Sequence, residues 1–251
     1  VKGSPAGRRK FLDTEVSQVS SLYRHLLHKY KRIVKQRNNL LKEIRHKQAN
    51  TDENMLAVWN EQLVETGSKI IKKRLEVTDK LKILARLAQR RITGGDENLS
   101  IEYKQSFSRE FHSEKEIKVI FEENLVNNKD REIERGYTLF GPHRDDLILK
   151  INDIDIRKFG SQGQQRTVAL ALKLAELEFM KSEVGEYPVL LLDDVFSELD
   201  SFRRSTLMEV IADNIQTFIT TTGKQMDGLK DKSERGSFFS VEGGKISRKV
   251  K

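Results

Sequence analysis

The sequence contains no cysteine, only three prolines and a single tryptophan in 251 residues. The lack of cysteine excludes disulfides and thiolate metal sites, and it fits a reducing cytoplasm. No run approaches the roughly 20 apolar residues of a membrane-spanning helix. The first residues do not have the pattern of a signal peptide. We therefore expect a cytoplasmic protein.

A phosphate-binding loop is also missing. The pattern G-x-x-x-x-G-K-[ST] holds nucleotide phosphates through backbone N–H groups and a lysine. The two Gly-Lys pairs begin at Gly223 and Gly244, and neither is followed by serine or threonine. The first residue is Val1 rather than methionine. We therefore expect the chain to be part of a longer protein.

Positive charge is abundant and unevenly placed. The net charge is +8, and residues 1–47 carry many bases but only Asp13, Glu15 and Glu43 as acids. A polyanionic partner fits this pattern, and nucleic acid is the commonest one. From charge alone, a solvated helix face explains it equally well. With no base-reading motif, binding would depend on phosphate contacts. The candidate residues are Lys29, Lys31, Arg32, Lys35, Arg37, Lys72, Lys73, Arg74, Arg86, Arg90 and Arg91.

The first half of the chain has helical periodicity. One helix, capped by Ser20, is predicted to run to about Gln48, which corresponds to a length of about 40 Å. A second begins after Thr51 and ends at Gly94, a residue suited to a left-handed cap. Gly67 is a possible interruption of this second helix. Two long helices joined by a short turn should pack as an antiparallel hairpin.

A polar segment is predicted to separate two domains. Before it come a strand at 99–103 and a helix capped by Ser113 together with Glu116. Residues 127–136 are predicted to form a linker. We place the domains at 1–135, a mainly helical domain, and at 136–251.

The elements after the linker alternate between strand and helix, which favours an α/β core. The run from Val189 to Leu192 is continuously apolar, as in a parallel strand covered on both faces. The predicted strands are 137–140, 147–151, 154–157, 189–192, 217–221, 238–241 and 245–247, and the predicted helices are 161–181 and 201–213.

Two acids end the apolar strand. Asp193 is a candidate ligand for Mg²⁺, as in a Walker B motif, and Asp194 is a candidate to polarise an attacking water. Ligands bind at the carboxyl edge of parallel sheets. The alternative is an ordinary strand end with exposed carboxylates.

A second segment has the features of a phosphate contact. Ser161 can cap a helix and donate its hydroxyl, and Gly163 leaves the helix start uncovered. Gln164 and Gln165 add neutral donors, and Arg166 adds a positive one. The alternative is an ordinary capped helix with a polar first turn.

The order of these segments resembles that of ATP-binding cassette ATPases: signature, Walker B and D-loop. Within that class the chain resembles the RecF family of bacterial recombination mediators. The resemblance extends over nearly the whole chain. It rests on G-S-P-A-G-R-R-K-F-L-D (3–13), Q-R-N-N-L-L-K (36–42), G-P-H-R-D-D-L (141–147), G-S-Q-G-Q-Q-R-T-V-A-L-A-L-K-L-A-E (160–176), L-L-L-D-D-V-F-S-E-L-D (190–200) and F-I-T-T-T (218–222).

The resemblance implies part of a cassette-type ATPase head joined to a helical lid domain. It implies ATP and Mg²⁺ as cofactors, ATP-dependent homodimerisation, and binding to DNA at single-strand gaps. RecO and RecR are the implied partners in loading RecA. The phosphate loop would lie upstream of Val1, so we expect the chain alone to hydrolyse no ATP.

The resemblance also implies roles for individual residues. Ser161, Gly163, Gln164 and Gln165 would form the signature that contacts ATP held by the other subunit. Asp193 would be the metal-side carboxylate, and Asp194 stands where many cassette ATPases have glutamate, which fits slow hydrolysis. The remaining motif residues are Ser197 and Asp200 of the D-loop, Thr222 at the switch position, and His143 and Arg144 of a family motif.

Three functions compete. The first is an ATP-switched DNA-repair protein, and the second is a non-enzymatic DNA-binding helical module with a structural Asp-Asp strand end. The third, a transporter ATPase subunit, is the weakest because the switch histidine is absent. His143 and Arg144 contact either nucleotide or DNA, or form a turn in which Arg144 pairs with Asp145 or Asp146.

Overall fold

The computed structural model describes residues 3–47, 53–107, 109, 113–211, 215–222 and 236–249. The chain divides into two compact units, Val1–Glu186 and Tyr187–Lys251. In the described part of the chain, no helix has the length and apolar character needed to cross a membrane. The division falls at a different place from the boundary predicted at 135/136. That boundary concerns the lid and head of the resembled family, and it stays a prediction.

The first unit begins with two helices, of which sequence reasoning predicted only the second. Helix α1 spans Pro5–Val19, with proline in the first turn and Ser4 as the cap that accepts from the Gly7 N–H at 3.3 Å. Helix α2 spans Ser21–Lys47. Ser20 caps it as predicted, accepting a hydrogen bond from the Tyr23 N–H at 3.2 Å. Gln48 and Thr51 lie outside the described residues.

Helix α3 spans Glu53–Thr93 without a break, so Gly67 does not interrupt it. Gly67 is instead a point of close approach. A Cβ added there would lie 2.7 Å from a ring carbon of Phe121 and 3.0 Å from one of Tyr30. Gly94 follows the helix with φ +69°, the left-handed conformation that was predicted.

Helices α2 and α3 form the predicted antiparallel hairpin. Arg37 of α2 hydrogen-bonds Asn60, whereas Tyr23, nearer the start of α2, hydrogen-bonds Arg74, further along α3. The contact nearer the end of α2 is made by the residue nearer the start of α3, so the two helices run in opposite directions. Leu40, Leu41 and Leu56 form a buried cluster between the two helices, and the partly buried Trp59 packs against it.

A three-stranded antiparallel sheet lies in the first unit, in the order β1-β2-β3. The strands are β1 Leu99–Lys104, β2 Asp146–Ile151 and β3 Ile154–Asp155. Asn152 and Asp153 turn the chain between β2 and β3 with φ of 47° and 66°. The predicted strand 154–157 is shorter than expected. Asp155 accepts from the Arg157 N–H at 2.9 Å and so caps a short helix, α6 Ile156–Phe159.

The predicted linker at 127–136 is wrong. Helix α4 spans Glu114–Asn127, capped by Ser113 as expected, and α5 spans Lys129–Arg135. Glu132 of α5 is fully buried. The segment is polar in sequence, but it forms a packed helix in which the carboxylate of Glu132 pairs with the buried Arg37.

The strand predicted at 137–140 is also wrong. Its backbone donors bond to side chains rather than to a neighbouring strand. The Thr138 N–H donates to Asn38 Oδ1 at 2.8 Å, and the Leu139 N–H donates to Glu132 Oε1 at 2.7 Å. Helix α7, Gln162–Val184, completes the first unit and packs against α3 and α1.

The second unit contains two of the predicted strands, which pair in parallel. Strand β4, Leu190–Asp193, pairs in parallel with β5, Thr217–Thr220. A 3-10 turn at Val195–Glu198 and helix α8, Ser201–Ile211, lie between them in sequence. Strands β6 Phe238–Glu242 and β7 Lys245–Lys249 form the expected hairpin.

The apolar run predicted that β4 is covered on both faces. This is wrong for the described structure, in which only one face of β4 is covered. Leu190 and Leu192 are buried, whereas Leu191 is 72% exposed. Its partner on β5, Phe218, is 58% exposed. Burial therefore alternates along β4, because side chains of a strand point to opposite faces.

Candidate functional site

The start of α7 is a complete capping box. Ser161 Oγ accepts from the Gln164 N–H at 3.1 Å, and Gln164 Oε1 accepts from the Ser161 N–H at 3.0 Å. Gly163 is exposed, and a Cβ added to it would meet only Ser161 Oγ, at 3.9 Å. Ser161 uses an oxygen lone pair in the cap, so its hydroxyl hydrogen can still be donated outward.

The two glutamines differ from what the sequence predicted. Gln165 is buried, and its Nε2 donates to the carbonyls of Ile156 and Gly160 at 3.2 and 2.9 Å. Both donors therefore point into the protein. Gln164 Nε2 donates to Glu97 Oε1 at 3.0 Å. Each amide therefore has a partner within the protein: that of Gln165 in the turn before α7, and that of Gln164 on Glu97, between α3 and β1.

Gly160 makes that loop possible. A Cβ at this position would lie 2.5 Å from the carbonyl oxygen of Ile156. The Gly160 N–H donates to the same oxygen at 3.0 Å and ends α6 there. The close turn from α6 into α7 therefore needs a residue without a side chain, and it sets the position of Ser161.

The end of β4 joins both candidate acids to one hydroxyl. Thr220 Oγ1 donates to Asp193 Oδ1 at 2.5 Å and accepts from the Asp194 N–H at 3.0 Å. Both acids are exposed. Asp194 has φ 48°, a left-handed conformation that turns the chain out of the strand. Sequence reasoning missed Thr220, although parallel pairing of the two predicted strands places it opposite Asp193.

The predicted D-loop residues differ in what can be said of them. Asp200 accepts from the Arg203 N–H at 2.9 Å and pairs with the Arg203 guanidinium at 2.9 Å. It thereby caps α8. Ser197 lies in the 3-10 turn, and its side chain is outside the described residues. Thr222 is exposed just after β5.

These residues fit Mg²⁺ only in combination with a nucleotide. No group of three or more candidate metal ligands occurs among the described residues. Mg²⁺ commonly takes one or two protein carboxylates together with waters and substrate phosphates. The exposed carboxylate of Asp193, beside the hydroxyl of Thr220, is such a partial set.

His143 is a half-buried residue of the loop before β2. Its Nδ1 lies 2.8 Å from Tyr30 Oη, and its Nε2 lies 3.2 Å from the Thr138 carbonyl oxygen. A carbonyl only accepts, so Nε2 carries the hydrogen and Nδ1 accepts from the tyrosine. Burial lowers the pKa of His143 to about 4, and the positive charge of Arg144 adds to this. The imidazole is therefore neutral at pH 7.

Arg144 does not form the contact with Asp145 or Asp146 that was considered. Its Nε and Nη2 donate to the Thr138 carbonyl at 3.2 and 3.1 Å, and its guanidinium lies 4.9 Å from the centre of the Tyr137 ring. Asp145 accepts from the Ser106 N–H and from Tyr103, and Asp146 pairs with Arg8 at 2.7 Å. Arg144 remains exposed.

Arg74 is the centre of a network that sequence reasoning missed. It is 2% exposed and pairs with Asp13 at 2.8 Å. It also donates to the Pro142 carbonyl at 2.6 Å and to Tyr23 Oη at 3.1 Å. One guanidinium thus connects α1, α2, α3 and the loop containing His143. The sequence signal was a base within the apolar periodicity of α3.

Burial separates the DNA-contact candidates into buried, half-buried and exposed residues. Arg37 and Arg74 are 1% and 2% exposed and ion-paired, which removes them from the candidates. Lys73 is half-buried and pairs with Glu76 at 3.4 Å. The exposed candidates are Lys29, Lys31, Arg32, Lys35, Lys72, Arg86, Arg90 and Arg91.

Comparison with known proteins gives a consistent result. No family model matches the chain. It is 62% identical over 224 residues to the DNA replication and repair protein RecF of Halothermothrix orenii, covering 88% of this chain and 60% of that protein. It is 46% identical over 252 residues to RecF of Halalkalibacterium halodurans, covering 99% and 67%. The chain belongs to the RecF family.

Solved structures agree with this membership. A structure of the recombination mediator RecF with ATP matches with a TM-score of 0.85 and 35% identity, covering 99% of this chain and 64% of that one. A second RecF structure, with ATPrS, gives 0.84 and 36%. The predicted fold class, a partial cassette-ATPase head with helical elements, is confirmed. The chain spans about 60–67% of the RecF proteins that it matches.

Proposed function

We propose that this chain is the helical lid and the signature-bearing part of a RecF protein that binds ATP and DNA. In this proposal ATP drives two copies together, and the dimer binds DNA at the junction of duplex and single-strand gap. RecO and RecR are the proposed partners, and helping RecA onto gapped DNA is the proposed outcome. The membership in the RecF family supports the DNA-repair role in general.

The observation that carries the proposal is the exposed start of α7. Ser161 is fixed by the capping box, and Gly163 beside it leaves open space. The first N–H groups of a helix and its dipole favour an anion. We expect the γ-phosphate of ATP held by another copy to bind there, with Ser161 as a donor. The burial of Gln165 gives it a supporting role rather than contact with nucleotide.

The end of β4 supports a hydrolytic role. Mg²⁺, when bound with nucleotide, would offset phosphate charge, and Asp193 is the residue that would hold it. The Thr220 hydroxyl would fix the orientation of that carboxylate. Asp194 would accept a proton from the attacking water. The shorter reach of aspartate compared with glutamate fits slow turnover that times dimer release.

The second candidate is a DNA-binding helical module without enzymatic function. The exposed lysine and arginine residues of α2 and α3 favour this candidate, because they attract the phosphates of DNA without any bound nucleotide. In that case Asp193 and Asp194 end the strand and do no more. Both candidates predict DNA binding, and only the first predicts that ATP changes it.

The experiment supplies the chain with the N-terminal phosphate-loop lobe and follows assembly by analytical ultracentrifugation. The proposal predicts dimers with ATP and slow ATP hydrolysis that Asp194→Ala abolishes. The 251-residue chain alone should show no turnover. ATP-independent assembly, with hydrolysis indifferent to Asp194→Ala, would favour the helical module instead.

A further inference from the structure

An open groove of about 640 Å³ lies along the antiparallel hairpin of α2 and α3. His25, His28, Lys29 and Arg32 line it from α2, and Trp59 and Gln62 line it from α3. The four α2 residues recur at intervals of three and four, so they form one stripe on the helix. Among the described residues that line the groove, none is aspartate or glutamate.

The basic side chains of the groove are available to a ligand. Lys29 and Arg32 are exposed, and within the described ranges neither has an ion pair. The nearby Glu65 of α3 is already paired with Lys69 and Lys118, at 2.6 and 2.5 Å. The groove therefore has uncompensated positive charge along one wall, which favours an anionic chain.

Trp59 supplies a flat apolar surface on the other wall. It is half-buried, with one side packed against the cluster of Leu40, Leu41 and Leu56. Such packing fixes the ring and leaves part of it facing the groove. Fixed aromatic rings flanked by positive charge are what proteins use to bind single-stranded nucleic acid, since each unpaired base can stack.

We propose that this groove binds a single strand of DNA, with one base stacked on Trp59 and the adjacent phosphates on Lys29 and Arg32. Gln62 is placed to hydrogen-bond the stacked base. A base within a duplex is already stacked and paired, so the groove distinguishes single strands from duplex. The inference rests on the DNA binding of the proposed function and assigns its single-stranded arm to a specific surface.

The chain contains one tryptophan, so its intrinsic fluorescence reports on this position alone. The probes are oligo(dT), an abasic oligonucleotide of equal length, a blunt duplex, and polyglutamate of matched charge. Stacking predicts strong quenching by oligo(dT), and little by the abasic strand or the duplex even where they bind. Quenching by polyglutamate as strong as by oligo(dT) would assign the groove to an acidic protein segment and overturn the proposal.

Variants separate stacking from charge. Trp59→Leu keeps an apolar packing group but lacks the ring, and it should weaken oligo(dT) binding at least about five-fold. Its binding of the abasic strand should not change. Trp59→Phe should recover part of the loss. Circular dichroism and thermal unfolding establish that each variant is folded.

Arg32→Gln should lower the slope of log affinity against log salt for oligo(dT) by about 0.7. Lys82→Gln is the matched control, since Lys82 is exposed on α3 and does not line the groove. If duplex binds but Trp59→Leu binds oligo(dT) like the parent, only the groove assignment fails. If no DNA binds under any salt condition, the proposed DNA-binding function fails with it.

Discussion

Arg37 and Glu132 form an ion pair in the protein interior, with Nη2 and Oε2 2.5 Å apart and side chains 1% and 0% exposed. The remaining donors of Arg37 reach Asn60 at 2.7 Å and Thr138 at 2.9 Å. The pair thus ties α2 to α5 and to the loop before β2. Removing one partner leaves the other charge buried and uncompensated.

We predict that Glu132→Gln or Arg37→Met lowers the free energy of unfolding by about 3–5 kcal/mol. Urea unfolding followed by circular dichroism measures this. Lys35→Gln, an exposed change two residues from Arg37, should alter stability by less than about 0.5 kcal/mol. An Arg37→Met variant as stable as the parent but weaker in DNA binding would return Arg37 to the DNA-contact candidates.

A buried carboxyl pair joins α1 to the signature helix. Glu15 is 2% exposed and lies beside the carboxyl of Glu176 of α7, and its Oε2 has no hydrogen-bond partner among the described residues. Burial and the neighbouring carboxyl of Glu176 raise the pKa of Glu15 to about 8 from 4.5. The folded state therefore holds this proton more tightly than the unfolded state does. The resulting stability is complete below about pH 4.5 and is lost as the pH rises toward 8.

The variant Glu15→Gln keeps the shape and cannot ionise. Its free energy of unfolding, relative to the parent, should increase by more than about 1 kcal/mol between pH 5 and pH 8. Chemical unfolding at the two pH values measures the difference, and effects of other titrating groups largely cancel. A difference that is constant across this range would mean that Glu15 ionises normally.

For His143, we predict a pH dependence of stability opposite in sign to that of Glu15. The folded pKa of about 4 lies below the usual 6.5, so the unfolded state binds the proton more readily. His143 therefore contributes stability that is present above pH 6.5 and is lost as the pH falls toward 4. NMR titration of its ring should give a midpoint near pH 4. A midpoint at or above 6.5 would contradict the buried placement.

Tyr30→Phe tests the hydrogen bond to the same ring. The change removes the donor to His143 Nδ1 and should cost about 1–3 kcal/mol, since the nitrogen is left buried without a partner. Tyr137→Phe is the control: it keeps the ring that lies beside Arg144 and removes only a hydroxyl. Equal losses in both variants would show that the Tyr30 hydroxyl has no special role.

Several of the elements predicted correctly from sequence had a local signal, although α1, with its cap Ser4 and Pro5, was missed. Capping at Ser20, Ser113 and Ser161, and the positive φ of Gly94, follow from side-chain chemistry within a few residues. The hairpin of α2 and α3 follows from long periodic segments with a short connection. For the same reason the order of the signature and strand-end motifs could be recognised without a structure.

Long-range partners could not be predicted in this way. Residues 127–136 were predicted to be an exposed linker because they are polar. The buried partner of Glu132, Arg37, lies 95 positions earlier, so nothing in the local sequence indicated the pairing. Arg74 was counted as a surface base because Asp13 and Pro142 are distant in sequence. A charged residue on an apolar helix face is ambiguous until the residue opposite it is known.

Exposed basic residues outside the groove should contribute mainly nonspecific attraction to duplex DNA. Lys31→Gln and Lys35→Gln should each flatten the slope of log affinity against log salt by about 0.9. Fluorescence anisotropy with a labelled duplex, from 50 to 200 mM salt, measures this. A parent affinity that does not depend on salt would contradict phosphate contacts altogether.

The central claim is that Ser161 acts on ATP held by a neighbouring copy. The decisive measurement is ultracentrifugation of the chain joined to the N-terminal ATP lobe that the proposal requires, comparing Ser161→Arg with Ser182→Arg. Ser182 lies at the opposite end of α7, about 30 Å away, and is exposed. We predict that Ser161→Arg binds ATP normally but stays monomeric, whereas Ser182→Arg dimerises like the parent. ATP-driven dimers of Ser161→Arg at parental affinity would contradict the account.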